Sequence, residues 1–212
     1  MAGRPIDLDT WERAEQFRFF KRFDRPHYAT TARVDVTAVM AAKEAQGLSP
    51  FRAALYAIGA GVAAVPALRM TFDGENVTAY DSFALSPAID VPSGEFRFAY
   101  IPWTRDRGAF DAAANANIDE VRAGGALEPN VQMDGMAVIY LSCLPWLDYT
   151  SLNNALQGPQ DCVPRIGWGK ITGDGSGASM PLTIEVHHAL VDGRHVGAFF
   201  GATETALAGP WS

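Results

Sequence analysis

The sequence predicts one globular domain that combines α-helices with a β-sheet. Its 212 residues suffice for one domain with a substantial core, and 48% hydrophobic with 19% charged residues is ordinary for a globular protein. Met136–Leu144 is a nearly continuous apolar run, which indicates a central strand buried on both faces. Residues 51–65 are apolar almost all round, which indicates a buried helix. No repeat or linker divides the chain, so we expect a single domain over residues 1–212.

Local patterns predict the other elements in order. Asp9 or Thr10 is expected to cap a short helix within 7–23. Gly59 and Gly61 lie inside a helix with no strand before them, so they are expected to allow close packing and not to bind a dinucleotide. The further predictions are strands at 28–36, 88–91, 95–103 and 182–186, helices at 37–45, 50–65 and 110–121, and a hairpin at 68–82 with an Asp-Gly turn.

Charge and cysteine content exclude several classes of partner. The net charge is −7, with three lysines against fourteen arginines, which argues against a nucleic acid or an anionic membrane as partner. No apolar run approaches the roughly 20 residues that span a bilayer, and the first residues lack the apolar core of a signal peptide. Nothing argues for a disulfide between Cys143 and Cys162. We therefore expect a cytoplasmic protein.

Three of the four histidines lie within the stretch 186–195, where an alternating strand gives way to a tight turn. A histidine at such a place can act as a general base, because imidazole titrates near neutrality. Asp192 could fix the turn. Two other interpretations stay open. One is a metal site, although the adjacent His187 and His188 should point to opposite faces of a strand. The other is a set of buried histidines bonded to the backbone.

This stretch resembles the signature of the chloramphenicol acetyltransferases, in the string His-His-Ala-Leu-Val-Asp-Gly-Arg-His-Val at 187–196. The resemblance extends from Trp11 to about Phe200. Condensation domains share the histidine motif but are considerably longer, and dihydrolipoyl acyltransferase cores lack two of the other blocks. Those further blocks are Trp-x-Arg-x-x-x-Phe at 11–17, Leu-Arg-Met at 68–70 with Asp-Ser at 81–82, and Ser-x-x-Pro-Trp at 142–146.

The resemblance implies a two-layer α/β fold, a mixed β-sheet covered by helices, in a homotrimer with active sites at subunit interfaces. It implies acetyl-coenzyme A as co-substrate and no metal. His188 would be the general base. Ser142 would stabilise the oxyanion beside the coenzyme, with a hydroxyl bonded to the backbone as the alternative. Arg13 would form a buried ion pair with Asp192, whereas the residues alone favour a solvated arginine. Lys170 would reach a coenzyme phosphate, with a merely solvated lysine as the alternative.

The resemblance also implies an aromatic pocket for the acceptor, built from Phe20, Tyr28, Phe96 and Trp103. Chloramphenicol is the favoured acceptor. A different alcohol or amine is one alternative, and a binding protein without turnover is another. Gly167 departs from the family, whose members commonly carry a threonine there that holds a water.

Overall fold

The computed structural model describes residues 3–124, 126–127, 135–174 and 177–211, which contain both α-helices and β-strands. The helices in this part of the chain are α1 (Ala14–Phe20), α2 (Thr37–Gln46), α3 (Pro50–Ala64), α4 (Arg107–Ala123) and α5 (Gly193–Leu207). Its strands are β1 (Arg4–Pro5), β2 (His27–Asp35), β3 (Met70–Asp73), β4 (Asn76–Ala79), β5 (Ser82–Asp90), β6 (Phe96–Phe98), β7 (Ile101–Pro102), β8 (Met136–Leu144), β9 (Arg165–Gly169), β10 (Thr172–Asp174) and β11 (Gly177–His187).

The main sheet is mixed. Strands β5, β8 and β9 are parallel neighbours, while β11 pairs antiparallel with β9 on one side and with β2 on the other. Strands β6 and β7 pair antiparallel with β5, and β10 pairs with the start of β11. A small antiparallel sheet, β1–β4–β3, contains the predicted hairpin. Gly74 turns that hairpin with φ of 57°, a conformation that favours glycine.

Strand β8 is central, as predicted, because β5 and β9 flank it. The expected burial of both its faces is wrong for the single chain. Ala137, Ile139 and Leu141 are buried, but Tyr140 and Ser142 on the other face are only half-buried. Pairing in register places Ser142, Gly167, Thr183 and Thr31 in one row across four strands. We call the face of the sheet that carries this row the serine face.

Close helix packing explains two of the glycines. A Cβ atom at Gly61 in α3 would lie 2.2 Å from Oγ1 of Thr203 in α5, and one at Gly59 would lie 2.1 Å from the Trp103 ring. Both positions therefore serve packing, as the sequence predicted. The predicted cap of the first helix is wrong. Helix α1 begins only at Ala14, because the Asp7 carboxylate accepts hydrogen bonds from the Asp9 amide and the Thr10 hydroxyl and forms a turn.

Two general features complete the fold. Within the described ranges, no helix has the length and apolar character needed to cross a membrane. Cys143 and Cys162 are both free thiols.

Candidate active site

The ring of His188 is held from two sides just beyond the end of β11. Its Nδ1 lies 3.1 Å from the carbonyl oxygen of Val191. A carbonyl can only accept, so Nδ1 carries the proton and Nε2 keeps a lone pair. The Phe20 ring stacks on the imidazole with centroids 3.8 Å apart and planes 11° apart, and Tyr28 lies at 4.9 Å. The site thus presents one oriented basic nitrogen.

Tyr28 remains a neutral phenol beside this ring. Burial, together with the negative charge of Asp192, raises the pKa of Tyr28 to about 12. Its hydroxyl lies 3.4 Å from the Val191 carbonyl oxygen, the same oxygen that accepts from His188. Tyr28 therefore forms one wall of the turn at residues 188–192, which we call the histidine turn, and supplies no base near neutral pH.

Arg13 ties the first helix to the histidine turn. Its Nη1 donates to Oδ2 of Asp192 at 2.6 Å, while Nη2 donates to the His188 carbonyl at 2.8 Å and Nε to the Ala189 carbonyl at 3.3 Å. The Arg13 side chain is 11% exposed and that of Asp192 is 24% exposed. One guanidinium thereby fixes the backbone carbonyls of the general-base candidate and of the residue that follows it.

Asp192 also begins helix α5. Its carboxylate accepts from the Arg194 amide at 3.0 Å, and the Asp192 amide donates to Nδ1 of His195 at 3.1 Å, which completes a capping box. Burial alone would raise the pKa of Asp192, but the neighbouring His195 and the Arg13 guanidinium outweigh it and hold the pKa below its usual value. Asp192 is thus a structural carboxylate.

His187 has a structural role too. Its Nε2 donates to the Pro159 carbonyl at 2.9 Å, and its Nδ1 accepts from the Ala189 amide at 3.1 Å. Burial lowers the pKa of His187 to about 4, so the ring is neutral near pH 7. The interpretation as a buried histidine bonded to the backbone therefore fits His187. In the described part of the chain, no group of three or more His, Cys, Asp or Glu side chains could hold a metal ion.

Ser142 stands on the serine face beside Gly167. A Cβ atom at Gly167 would lie 2.4 Å from Cδ2 of Leu152, and the Tyr149 hydroxyl donates to the Gly167 carbonyl at 2.8 Å. Leu152 thus fills the space that a longer side chain at position 167 would need. The departure at Gly167 is compensated by packing from the connection 145–164.

One chain does not bring His188 and Ser142 together. Ser142 is in register with Thr183, two strands away, and His188 lies five residues beyond Thr183. Strand spacings of about 4.8 Å and rises of about 3.4 Å per residue place the two residues roughly 20 Å apart. A single substrate carbonyl cannot touch both within one chain.

A cavity of about 780 Å³ lies at the carboxyl ends of the three parallel strands. Cys143, Trp168 and Phe51 line it, and burial, with Asp90 nearby, raises the pKa of Cys143 to about 12. Three cations line it as well, and none has an ion pair with a described residue. They are Lys43, Arg122 and Lys170, all exposed. Cations around an apolar cavity suit a ligand with an apolar arm and phosphate groups.

The four aromatic candidates separate into two places. Phe20 and Tyr28 contact His188. Trp103 stacks on Phe83 at 5.4 Å, and its Nε1 donates to the carbonyl of Tyr56 in α3. Phe96 is 47% exposed on β6, with its ring 5.5 Å from that of Phe98. The described chain therefore brings neither Trp103 nor Phe96 to His188.

Comparisons with known proteins identify the family of the chain. The family model for chloramphenicol acetyltransferase matches residues 1–203. The chain belongs to the chloramphenicol acetyltransferase family. The resemblance seen in the sequence is confirmed, and membership makes the chain an acetyltransferase.

Individual relatives cover nearly the whole of this family member. The chloramphenicol acetyltransferase of Streptomyces acrimycini is 30% identical over 97% of this chain and 94% of its own. A solved chloramphenicol acetyltransferase superposes with a TM-score of 0.86 at 26% identity, covering 97% of this chain and 99% of that one. A dihydrolipoamide acetyltransferase of Azotobacter vinelandii superposes with a TM-score of 0.68 at 18% identity, covering 92% and 86%, so it shares the fold.

Proposed function

We propose that the protein transfers the acetyl group of acetyl-coenzyme A to a hydroxyl of chloramphenicol or a similar small molecule, with His188 as general base. One observation carries the proposal. The Val191 carbonyl binds Nδ1 of His188 and leaves Nε2 as the only basic nitrogen of the ring. Stacking on Phe20 fixes the direction of that nitrogen. A base that must accept a proton from a bound hydroxyl needs this tautomer and this rigidity.

The proposed reaction proceeds by direct attack. Nε2 of His188 takes the hydroxyl proton as the hydroxyl oxygen attacks the thioester carbonyl. Ser142 donates to the oxyanion, and one such donor contributes about 3 kcal/mol to the transition state. The intermediate then collapses, the carbon–sulfur bond breaks, and the imidazolium returns the proton to the departing thiolate. Cys143 takes no part, because its raised pKa keeps the thiol protonated.

We propose further that His188 of one subunit meets Ser142 of a neighbouring copy, in a homotrimer of two-layer α/β subunits. The separation of roughly 20 Å within one chain supports this arrangement. The half-buried Tyr140 and Ser142 on the serine face support it too. Phe19 and Phe23 next to Phe20 also support it, because they are 49% and 42% exposed in the single chain. Apolar side chains left exposed in this way suit an interface between subunits.

Acetyl-coenzyme A is proposed to occupy the cavity of about 780 Å³. Its pantetheine arm would pass Cys143 and Trp168 toward the end of β8, where Ser142 stands. Lys170, joined by Lys43 and Arg122, would hold phosphate groups at the mouth. Acetyl-coenzyme A supplies the thioester that is attacked, and the protein orients the reactants and transfers the proton.

The test is release of free thiol from acetyl-coenzyme A in the presence of chloramphenicol. His188→Ala is expected to lower kcat by about 10²- to 10⁴-fold, the usual contribution of a general base. Ser142→Ala is expected to lower it by about 10²- to 10³-fold. Thiol release that persists in His188→Ala would contradict the role of the base. Coenzyme binding without thiol release from any acceptor would favour the alternative of a binding protein.

A mixing experiment tests the shared site. Subunits carrying His188→Ala are refolded together with subunits carrying Ser142→Ala. If the two groups come from different copies, random assembly leaves about a quarter of the sites with both groups intact, and activity returns. A mixture no more active than its two components would place both groups in one subunit.

A further inference from the structure

The serine face carries a buried carboxylate that the proposed mechanism does not use. Glu185 on β11 is 4% exposed. Its Oε2 accepts two hydrogen bonds from Asn154, one from the backbone amide and one from Nδ2, both at 2.8 Å. Among the described residues, Oε1 accepts no hydrogen bond and no cation forms a salt bridge with Glu185. Oε1 of this carboxylate is therefore free to accept a hydrogen bond from a ligand.

A buried carboxylate without a cation is costly to maintain, so the missing partner needs an explanation. Arg165 is its neighbour in register on β9. However, Nη1 and Nη2 of Arg165 donate to Asp161 at 3.1 and 2.6 Å, and Nη1 also donates to the Val163 carbonyl. Asp161 thus matches the charge of Arg165, and the charge of Glu185 stays unmatched.

On its other side, Glu185 is in register with Ala29 of β2, which is half-buried and has only a methyl group as side chain. Glu185 lies two residues beyond Thr183 on the same face, and Thr183 shares a row with Ser142. Two strand spacings and two residue rises place Glu185 about 12 Å from Ser142. A small acceptor is long enough to span this distance while its hydroxyl attacks the thioester carbonyl beside Ser142.

We propose that Glu185 binds a protonated amine of the acceptor, so that the preferred substrate is an amino alcohol with its ammonium group distant from the reacting hydroxyl. The inference rests on the proposed acetyl transfer. An ammonium donates hydrogen bonds and carries the positive charge that would neutralise the Glu185 carboxylate. Hydrogen bonds between oppositely charged groups are stronger than those between neutral groups. Asn154 holds the carboxylate in place through Oε2 and leaves Oε1 for the ligand. Glu185 is a specificity-determining residue, and the chemistry stays with His188 and Ser142.

The test measures binding and not turnover, so it gives a result even if thiol release fails. Isothermal titration uses the His188→Ala protein with acetyl-coenzyme A and a series of ω-amino alcohols of increasing length. The n-alkanols and α,ω-diols of equal length serve as references. We expect the amino alcohols to bind about 10-fold more tightly than the references, with an optimum length set by the span from Ser142 to Glu185.

Two variants in the same background test the carboxylate itself. Glu185→Gln keeps an oxygen for Asn154 and removes the charge, and it is expected to abolish the preference for the amine. Ala29→Lys places an ammonium of the protein beside Glu185, and it is expected to weaken amino alcohol binding while alkanol binding persists. Ala45→Lys adds the same charge at an exposed position of α2 and should change neither. Diols that bind as tightly as amino alcohols, or a preference that survives Glu185→Gln, would overturn the proposal.

Discussion

Replacing Arg13 by methionine should destabilise the protein through a single, well-defined loss. The substitution removes an ion pair of 2.6 Å and two hydrogen bonds to the backbone beside His188, from a side chain only 11% exposed. Breaking a buried pair typically costs 3–5 kcal/mol. Asp192 is 24% exposed and keeps its bond from the Arg194 amide, so part of its charge remains compensated. We therefore expect a loss of about 2–3 kcal/mol in the free energy of unfolding.

Urea unfolding at a fixed protein concentration measures this loss, and Arg33→Met is the matched control. Arg33 pairs with Asp148 at 2.7 Å, but both side chains are nearly half exposed. Such pairs contribute about 0–1 kcal/mol. The double variant with Asp192→Asn should lose less than the sum of the two single variants, because they share one interaction. An Arg13→Met protein as stable as the Arg33→Met control would refute the view that this pair fixes the histidine turn.

Three further predictions concern the packing, the pH response and the thiols. Gly61→Leu should lower the free energy of unfolding by about 1–3 kcal/mol, because a Cβ atom at this position would clash with α5. Gly197→Ala should leave stability unchanged or raise it, because a Cβ atom there has no neighbour within 4 Å. Thermal unfolding compares the two variants. The pKa of His187 is lowered from 6.5 to about 4, so the unfolded chain binds more protons in that window. Stability should be complete above about pH 6.5 and fall by up to about 3 kcal/mol toward pH 4, and His187→Gln should flatten that fall in urea titrations. Burial raises the pKa of both cysteine thiols, so native protein at pH 8 should react slowly with a disulfide reagent and urea-unfolded protein rapidly. Equal rates would contradict the raised pKa of the partly buried Cys143 and the buried Cys162.

Local patterns were sufficient to predict most elements, because they depend on the period of apolar residues along a short stretch. The run at β8 and the apolar helix α3 were strong signals of this kind. The cap of α1 was wrong, because Asp7, Asp9 and Thr10 can form a turn as readily as a cap. The contact between Arg13 and Asp192 joins residues 179 positions apart, and only the family resemblance pointed to it.

For the same reason, the sequence could not show how the side chains on each face of the sheet are packed. Trp103 directly follows β7, which pairs with β5, and β5 is buried on both faces. The sequence therefore could not show that the Trp103 ring packs against α3. Glu185 occupies a polar position in a strand that alternates apolar and polar residues, and such positions ordinarily face solvent. Its burial depends on Asn154, supplied by the irregular connection 145–164. No periodic signal predicts where such a connection lies on a sheet.

The contact between Arg13 and Asp192 has a consequence for biosynthesis. Domains fold as units, and the segments made first wait for partners that are made later. Helix α1 emerges from the ribosome before the carbonyls and the carboxylate that Arg13 binds, which belong to residues 188–192. A nascent or prematurely terminated chain that lacks this stretch leaves the guanidinium unbound and has no histidine turn to fix. The contacts by which Arg13 fixes the histidine turn can therefore form only after residues 188–192 have been synthesised.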